Sequence, residues 1–451
     1  MATPRATPLT PAIRRGYALG SVATGAFGTV PGLLLLPYLT DRLGVAAGLA
    51  GLVVLLPKAW DVILNPIAGR ISDRHDSPDG RRRPFLLRAG LALAICFVLL
   101  FAGPTTPRGL ATTWVVVAFV ACATAYAFFQ VPYVAMPAEM TDDYDERTRL
   151  MTRRVAVLAL AILVSGGLSP VIRDGLGERW GYVGVGIFVG ALIAIGATGA
   201  WWGTRHIPAS STTAVALPSS ATWGQQLAVI ARSRDFRALL TTFILQALAT
   251  GSMLAGVDYI ARHVLGRPGW SSILFVCFVA PALVVTPGWQ HVAARYGKRR
   301  GYVAASTFMI AGALLAWPSA HTAPVLALAV AVIGIGYAGC QMLPLAMLPD
   351  VAANDAVSTG QNRIGMFTGV WTAGETLGLA LGPGLFGGVL ALGGYASSTT
   401  GTAVQTDSAL RAVVLGFTLI PAVLIAMSLW PLARYRLTAA DTWDLTEREP
   451  T

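Results

Sequence analysis

Apolar residues run through this chain in blocks of about twenty, and polar residues gather in short stretches between them. The blocks fall at 17–39, 46–69, 85–104, 112–137, 154–172, 181–203, 238–261, 271–293, 301–319, 323–347, 364–394 and 410–433. Each is long enough to cross roughly 30 Å of hydrocarbon at about 1.5 Å of helical rise per residue. Barrel strands would instead alternate apolar and polar positions over about ten residues. The pattern predicts an all-α integral membrane fold of twelve transmembrane helices. The longest polar interval, 204–237, contains PASSTTAVALPSSAT and reads as a linker. It predicts an N-terminal six-helix half at 1–203, a linker, and a C-terminal six-helix half at 238–451 that ends in a polar tail.

Composition agrees with a bilayer as the surrounding partner, since 55% of the 451 residues are hydrophobic and 12% are charged. The net charge of +11 is a topology signal. Both ends and the loops on their side hold 25 of the 33 Lys and Arg residues, and the opposite loops hold seven. The positive-inside rule then places both termini in the cytoplasm. A nucleic-acid partner is excluded because no segment outside the blocks could present a basic soluble face. The four cysteines all fall inside apolar blocks, where they serve as small apolar residues. The first block is too long for a cleaved signal and reads as a retained helix. The near-absence of lysine among the basic residues suggests a bacterial genome, and hence the inner membrane. The loops SDRHDSPDGRRRP and ARYGKRRG stand at equivalent places in the two halves and suggest a duplicated unit with a ligand site between halves.

One block breaks the apolar rule. KAWDVILNP carries Lys58, Asp61 and Asn65 at spacings of three and four, which stacks them along one helix face. A charge at mid-membrane costs about 2.5–3.5 kcal/mol or more, so such a group faces the bundle interior and has a purpose or a partner. Lys58 and Asp61 either neutralise one another or form a coupling site. Catalysis is excluded: no HExxH, GxSxG or CxxC motif occurs, and no cofactor is expected.

The run WDVILNPIAGRISDRHDSPDGRRRPF resembles the second helix and following loop of the glycoside-pentoside-hexuronide:cation symporters, the melibiose-permease-like branch of the major facilitator superfamily. QVPYVAMPAEMTDDYDERTRL (130–150), LPLAMLPDVAANDAVSTGQNRIGMFTGVW (343–371) and WTAGETLGLALG (371–382) extend the resemblance over both halves. It implies a secondary transporter of a small-molecule substrate that works by alternating access. Carried over by position, Lys58 stands for the family's arginine, Asp61 for its first cation-site aspartate and Asn65 for the second. One carboxylate beside an amide carries less charge for Na⁺ than two. Burial opposes charge on Asp61 while Lys58 favours it, so H⁺ is the expected coupling ion. The family's sugar-binding acids of helices 1 and 4 fall on Gly25 and Gln130, and its helix 11 lysine falls on Thr376, beside Glu375. These positions, with Tyr126 one turn before Gln130 and the aromatic Trp371, are the candidate substrate cavity; Phe27, Phe128, Phe129, Tyr133 and Phe367 are further candidates for its wall.

Loss of those charges leaves two readings open: symport of a sugar or glycoside-like solute, or movement of an amphipathic, lipid-like molecule or natural product. The acidic run around Asp145, with Arg149, and the basic run around Arg74 are expected to gate the cytoplasmic side. Asp258 and Arg262 are expected to gate the outer side. His263, His291 and His321 read as interfacial, and the transporter is expected to act as a monomer.

Overall fold

A computed structural model describes residues 9–75, 82–141, 144–205, 233–359, 364–399 and 403–437, with the backbone alone at positions such as Lys58, Asp73, Glu139 and Asp145. Among these residues, eleven helices are long and apolar enough to cross a membrane. They are α1 (Pro11–Arg42), α3 (Arg83–Phe101), α4 (Arg108–Ala135), α5 (Arg149–Gly177), α6 (Trp180–Thr204), α7 (Arg234–Val264), α8 (Trp270–Tyr296), α9 (Lys298–Ser319), α10 (Ala323–Val357), α11 (Met366–Leu392) and α12 (Asp407–Ala433). A further helix, α2 (Ala47–Arg74), has 28 residues, about 42 Å, and is long enough to cross but is not apolar throughout. Its apolar part, Ala47–Pro57, stops where the polar stripe begins.

Local sequence sets the boundaries. Thr10 caps α1 by accepting from the Ile13 amide at 3.4 Å, ahead of Pro11 at the first position. Ser233 caps α7 through the Phe236 amide at 3.3 Å, and Thr406 caps α12 through the Ala409 amide at 3.3 Å. Gly177, at φ +71°, separates α5 from α6 in a conformation only glycine adopts cheaply. The chain enters α9 through Gly297 at φ +88°. Both α1 and α7 finish in a π-helical turn, Tyr38–Arg42 and Ile260–Val264.

Internal contacts divide the chain into two units: unit 1 comprises 1–216 with 397–403, and unit 2 comprises 217–396 with 404–451. In unit 1, α1 packs most extensively on α5 and α6, α3 on α6 and α4, and α2 on α4. In unit 2 the main pairs are α9 with α10, α7 with α11, and α7 with α12. Lipid supplies no hydrophobic force between helices, so close approach of small residues has to hold them. A Cβ built on Gly16 of α1 would meet the Gly203 backbone of α6 at 2.4 Å, and one on Gly382 of α11 would meet the Gly251 backbone of α7 at 2.4 Å.

Candidate functional site

Within unit 1, α2 turns Trp60, Leu64, Ile67 and Ala68 toward α4. Leu64 and Ala68 pack with Ala127, Phe128 and Val131, and the Trp60 indole donates to Thr124 Oγ1 at 3.1 Å. Asp61 and Asn65 lie about 100° round the helix from that face. Asp61 is 3% exposed and Asn65 half-buried. The side chain of Lys58, the third member of the stripe, lies outside the described residues.

Gly25 requires a correction. It does not line a cavity: its face of α1 rests on α5, where a Cβ would come within 2.9 Å of Ala161 Cβ and 3.1 Å of the Leu158 carbonyl. Counting along the helix located the position but not its direction. Nothing lies within 4 Å of a Cβ on Gly28, one helical turn further along α1. Tyr126 is half-buried against Phe27, ring centroids 4.5 Å apart, at the margin of an aromatic group that includes Phe97 and Phe119. Phe27, Phe129 and Tyr133 are fully buried and belong to the core of unit 1. Gln130 is half-buried, and its Oε1 finds no hydrogen-bond partner among the described residues.

Trp371 is likewise corrected. It is 1% exposed and stacks on Phe243 of α7 at 4.3 Å, as Phe367 meets Phe236 at 4.7 Å, so both rings are packing of α11 on α7. Glu375 and Thr376 are half-buried on an adjoining face. On α10, Gln341 Nε2 donates to Tyr337 Oη at 3.1 Å. These two were missed from sequence. Their four-residue spacing inside an apolar block was the available signal.

At the acidic run expected to gate the cytoplasmic side, the described contacts are those of Glu146. Arg14 of α1 grips Glu146 with Nη2 at 2.7 Å and Nε at 3.0 Å, and Arg149 adds a third contact at 3.2 Å. Glu146 is 4% exposed on its side chain and Arg14 13%. Arg74 is exposed, and the side chain of Asp145 lies outside the described residues. Beside this pair, Tyr133 Oη donates to the Tyr17 carbonyl at 2.8 Å and so accepts from Ser21 at 2.9 Å. Tyr17 Oη donates in return to the Tyr133 carbonyl at 3.2 Å, an acceptor that Pro137 leaves without its helical donor. In unit 2, Asp258 is 1% exposed, pairs with Arg262 of its own helix at 3.2 Å and accepts from Ser271 of α8 at 2.7 Å. That cluster ties α7 to α8. His263 joins Tyr395 at 2.7 Å in the same region.

The family described as MFS/sugar transport protein matches residues 16–439. A putative glycoside/cation symporter of Escherichia coli (strain K12), YagG, is 24% identical over 96% of this chain and 94% of its own. The glucuronide carrier protein homolog of the same organism is 26% identical over 90% of this chain and 88% of its own. Among solved structures, a bacterial homolog of the human lysosomal transporter Spinster, inward-facing and occupied, superposes with a TM-score of 0.67 at 13% identity, over 94% of each chain; it speaks for the fold alone.

Proposed function

The chain belongs to the MFS/sugar transport protein family, and from that membership we propose that it is a proton-coupled symporter of a glycoside-like solute, with Asp61 as the proton site. As a family member it is a multi-pass secondary transporter of a small molecule and not an enzyme. One observation carries the coupling assignment: Asp61 is a carboxyl with 3% exposure inside α2, and the second carboxylate that the family resemblance implies is the amide Asn65. One carboxyl beside an amide, in place of two carboxylates, suits a proton, which asks for one oxygen, better than Na⁺, which asks for several charged or carbonyl ligands. Alternating access then exposes Asp61 to each side in turn, with both termini in the cytoplasm.

The decisive measurement is solute flux in proteoliposomes under a pH gradient alone and under a Na⁺ gradient alone. Flux driven by the pH gradient is expected. Sodium-driven, pH-insensitive flux would assign the site to Na⁺ after all. A second reading, transport of an amphipathic or lipid-like molecule, is favoured by the packing of Gly25 on α5, which leaves no room there for a hydroxyl-binding carboxylate. Stabilisation of the purified protein by amphiphiles and by no sugar would select it.

A further inference from the structure

Unit 2 holds a cavity of about 620 Å³ between the end of α9 and the start of α12, and none of its lining residues belongs to the site described above. Trp317 comes from the last turn of α9 and His321 from the turn beyond it, while Asp407 opens α12 and Arg411 follows one helical turn later. Leu410, Val414 and Leu415 add an apolar wall that continues toward the middle of α12. Because α12 runs on into the C-terminal tail, its start lies at the opposite face of the membrane, the outer face in the orientation proposed above. The charges therefore stand at headgroup depth, beside an interfacial tryptophan, and the apolar wall reaches the depth of acyl chains. Trp317 and Leu415 leave 48% and 37% of their surface exposed, so lipid has access to the cavity from the side. Asp407 and Arg411 share one helix face, yet neither makes an ion pair among the described residues.

We propose that this cavity binds a phospholipid with an ethanolamine headgroup. The Arg411 guanidinium meets the phosphate, with a fork that suits two parallel N–H bonds, and His321 and the Trp317 indole supply donors for the remaining phosphate and ester oxygens. Asp407 takes the primary ammonium. Residues four apart on a helix stand about 5–6 Å apart at Cβ, and a two-carbon bridge separates ammonium from phosphate in such a lipid, so the acid and the base are spaced for the two ends of one headgroup. One acyl chain lies along Leu410, Val414 and Leu415. A choline headgroup has no N–H for Asp407, and a glycerol headgroup has no cation and leaves that acid uncompensated beside a phosphate. The apolar wall favours a lipid over a free phosphate, which would gain nothing from it. The identity of the transported solute does not enter this assignment.

The test is lipid retention by the purified full chain, followed by native mass spectrometry during titration with ethanolamine, choline and glycerol phospholipids of one acyl composition. For the first bound copy, the ethanolamine lipid is expected to bind about tenfold to a hundredfold more tightly than the choline lipid, the span of one charge-assisted hydrogen bond. Asp407→Asn should erase that ratio and leave the choline lipid's affinity where it was. Arg411→Gln should weaken every phospholipid by about tenfold. Both side chains are exposed, so neither substitution disturbs the core of unit 2. Phosphoethanolamine without acyl chains, at the same concentration, should not displace the lipid. Equal binding of the ethanolamine and choline lipids, a preference that survives Asp407→Asn, or displacement by phosphoethanolamine overturns the proposal, the last by assigning the cavity to a soluble phosphate.

Discussion

In unit 1 the deep acid sits on the second helix of the set, Asp61 on α2; in unit 2 it sits on the fifth, Glu375 on α11. The corresponding helices are bare at those depths. α8 has no acid at all, and the charges of α5 stand at its two ends, Arg149, Arg153 and Arg154 at one and Arg173 with Asp174 at the other. The framework around these acids is nevertheless repeated. Arg82, just before α3, donates to the Ala135 carbonyl at the end of α4 at 2.7 Å, and Lys298, opening α9, donates to the Ala346 carbonyl of α10 at 2.9 Å. A duplicated scaffold with its acids moved to different helices allows two duties to be separated. An acid with a lysine one turn away in sequence can exchange a proton without leaving a bare charge, whereas Glu375 stands next to Thr376 among the candidates for the substrate cavity.

Substituting the two acids one at a time is the strongest way to break this comparison. Asp61→Asn should abolish accumulation against a gradient while downhill exchange continues, and Glu375→Gln should leave flux responsive to the pH gradient even where it changes the affinity for solute. Equal loss of accumulation in both variants would merge the two duties into one site. Asn65→Asp sharpens the contrast by restoring a second carboxylate to α2, and Na⁺-stimulated flux is the expected gain.

Packing gives the next largest effect. Gly25→Asp, which would rebuild the acid implied by resemblance, forces a side chain against Leu158 and Ala161 and buries a carboxyl there. A loss of about 3 kcal/mol or more of stability is expected, seen as a lower denaturation midpoint in detergent. A variant as stable as the parent would place Gly25 on an open face after all.

The charged ties at the helix ends should differ between units in proportion to their burial. Arg14→Ala leaves Glu146 enclosed without its bidentate partner and should cost about 2–3 kcal/mol. Lys298 holds Asp350 at 2.6 Å, but with 42% and 21% side-chain exposure its loss should cost about 1 kcal/mol or less. Similar costs for the two, measured by denaturant midpoints, would mean that burial is not what separates them.

Much of this was legible in the sequence because a bilayer admits few backbone solutions. Long apolar blocks had to be helices, and Lys58, Asp61 and Asn65 stood out because polar residues are expensive there. What stayed hidden depended on which way a helix face points. Gly25 and Trp371 were placed at the correct height on α1 and α11, yet both look into a neighbouring helix. The partnership of Arg14 with Glu146 spans 132 residues and exists because α1 packs along α5. The π-helical ends of α1 and α7 left no mark in the apolar pattern.

The smallest expected effect concerns a polar node in unit 2 that invites the opposite guess. Gln246 of α7 is 3% exposed, and its Nε2 donates to Ser306 of α9 at 2.9 Å and to Ser428 of α12 at 3.0 Å. Three helices meet on one amide, so its removal looks costly. Yet each serine already donates to its own helix, Ser306 to the Tyr302 carbonyl at 2.8 Å and Ser428 to the Ile425 carbonyl at 2.7 Å, and neither depends on Gln246 to place its hydrogen. The Gln246 Oε1, in contrast, is buried with no donor among the described residues. A buried acceptor without a donor costs about 1–3 kcal/mol, which offsets the two bonds from Nε2 at about 1 kcal/mol each. Gln246→Leu fills nearly the same volume without that acceptor, so the net change should lie within about 1 kcal/mol of zero. A loss of several kcal/mol in the denaturant midpoint of this variant would show instead that Oε1 is satisfied, by a buried water for example, and that the node is a true tie between α7, α9 and α12.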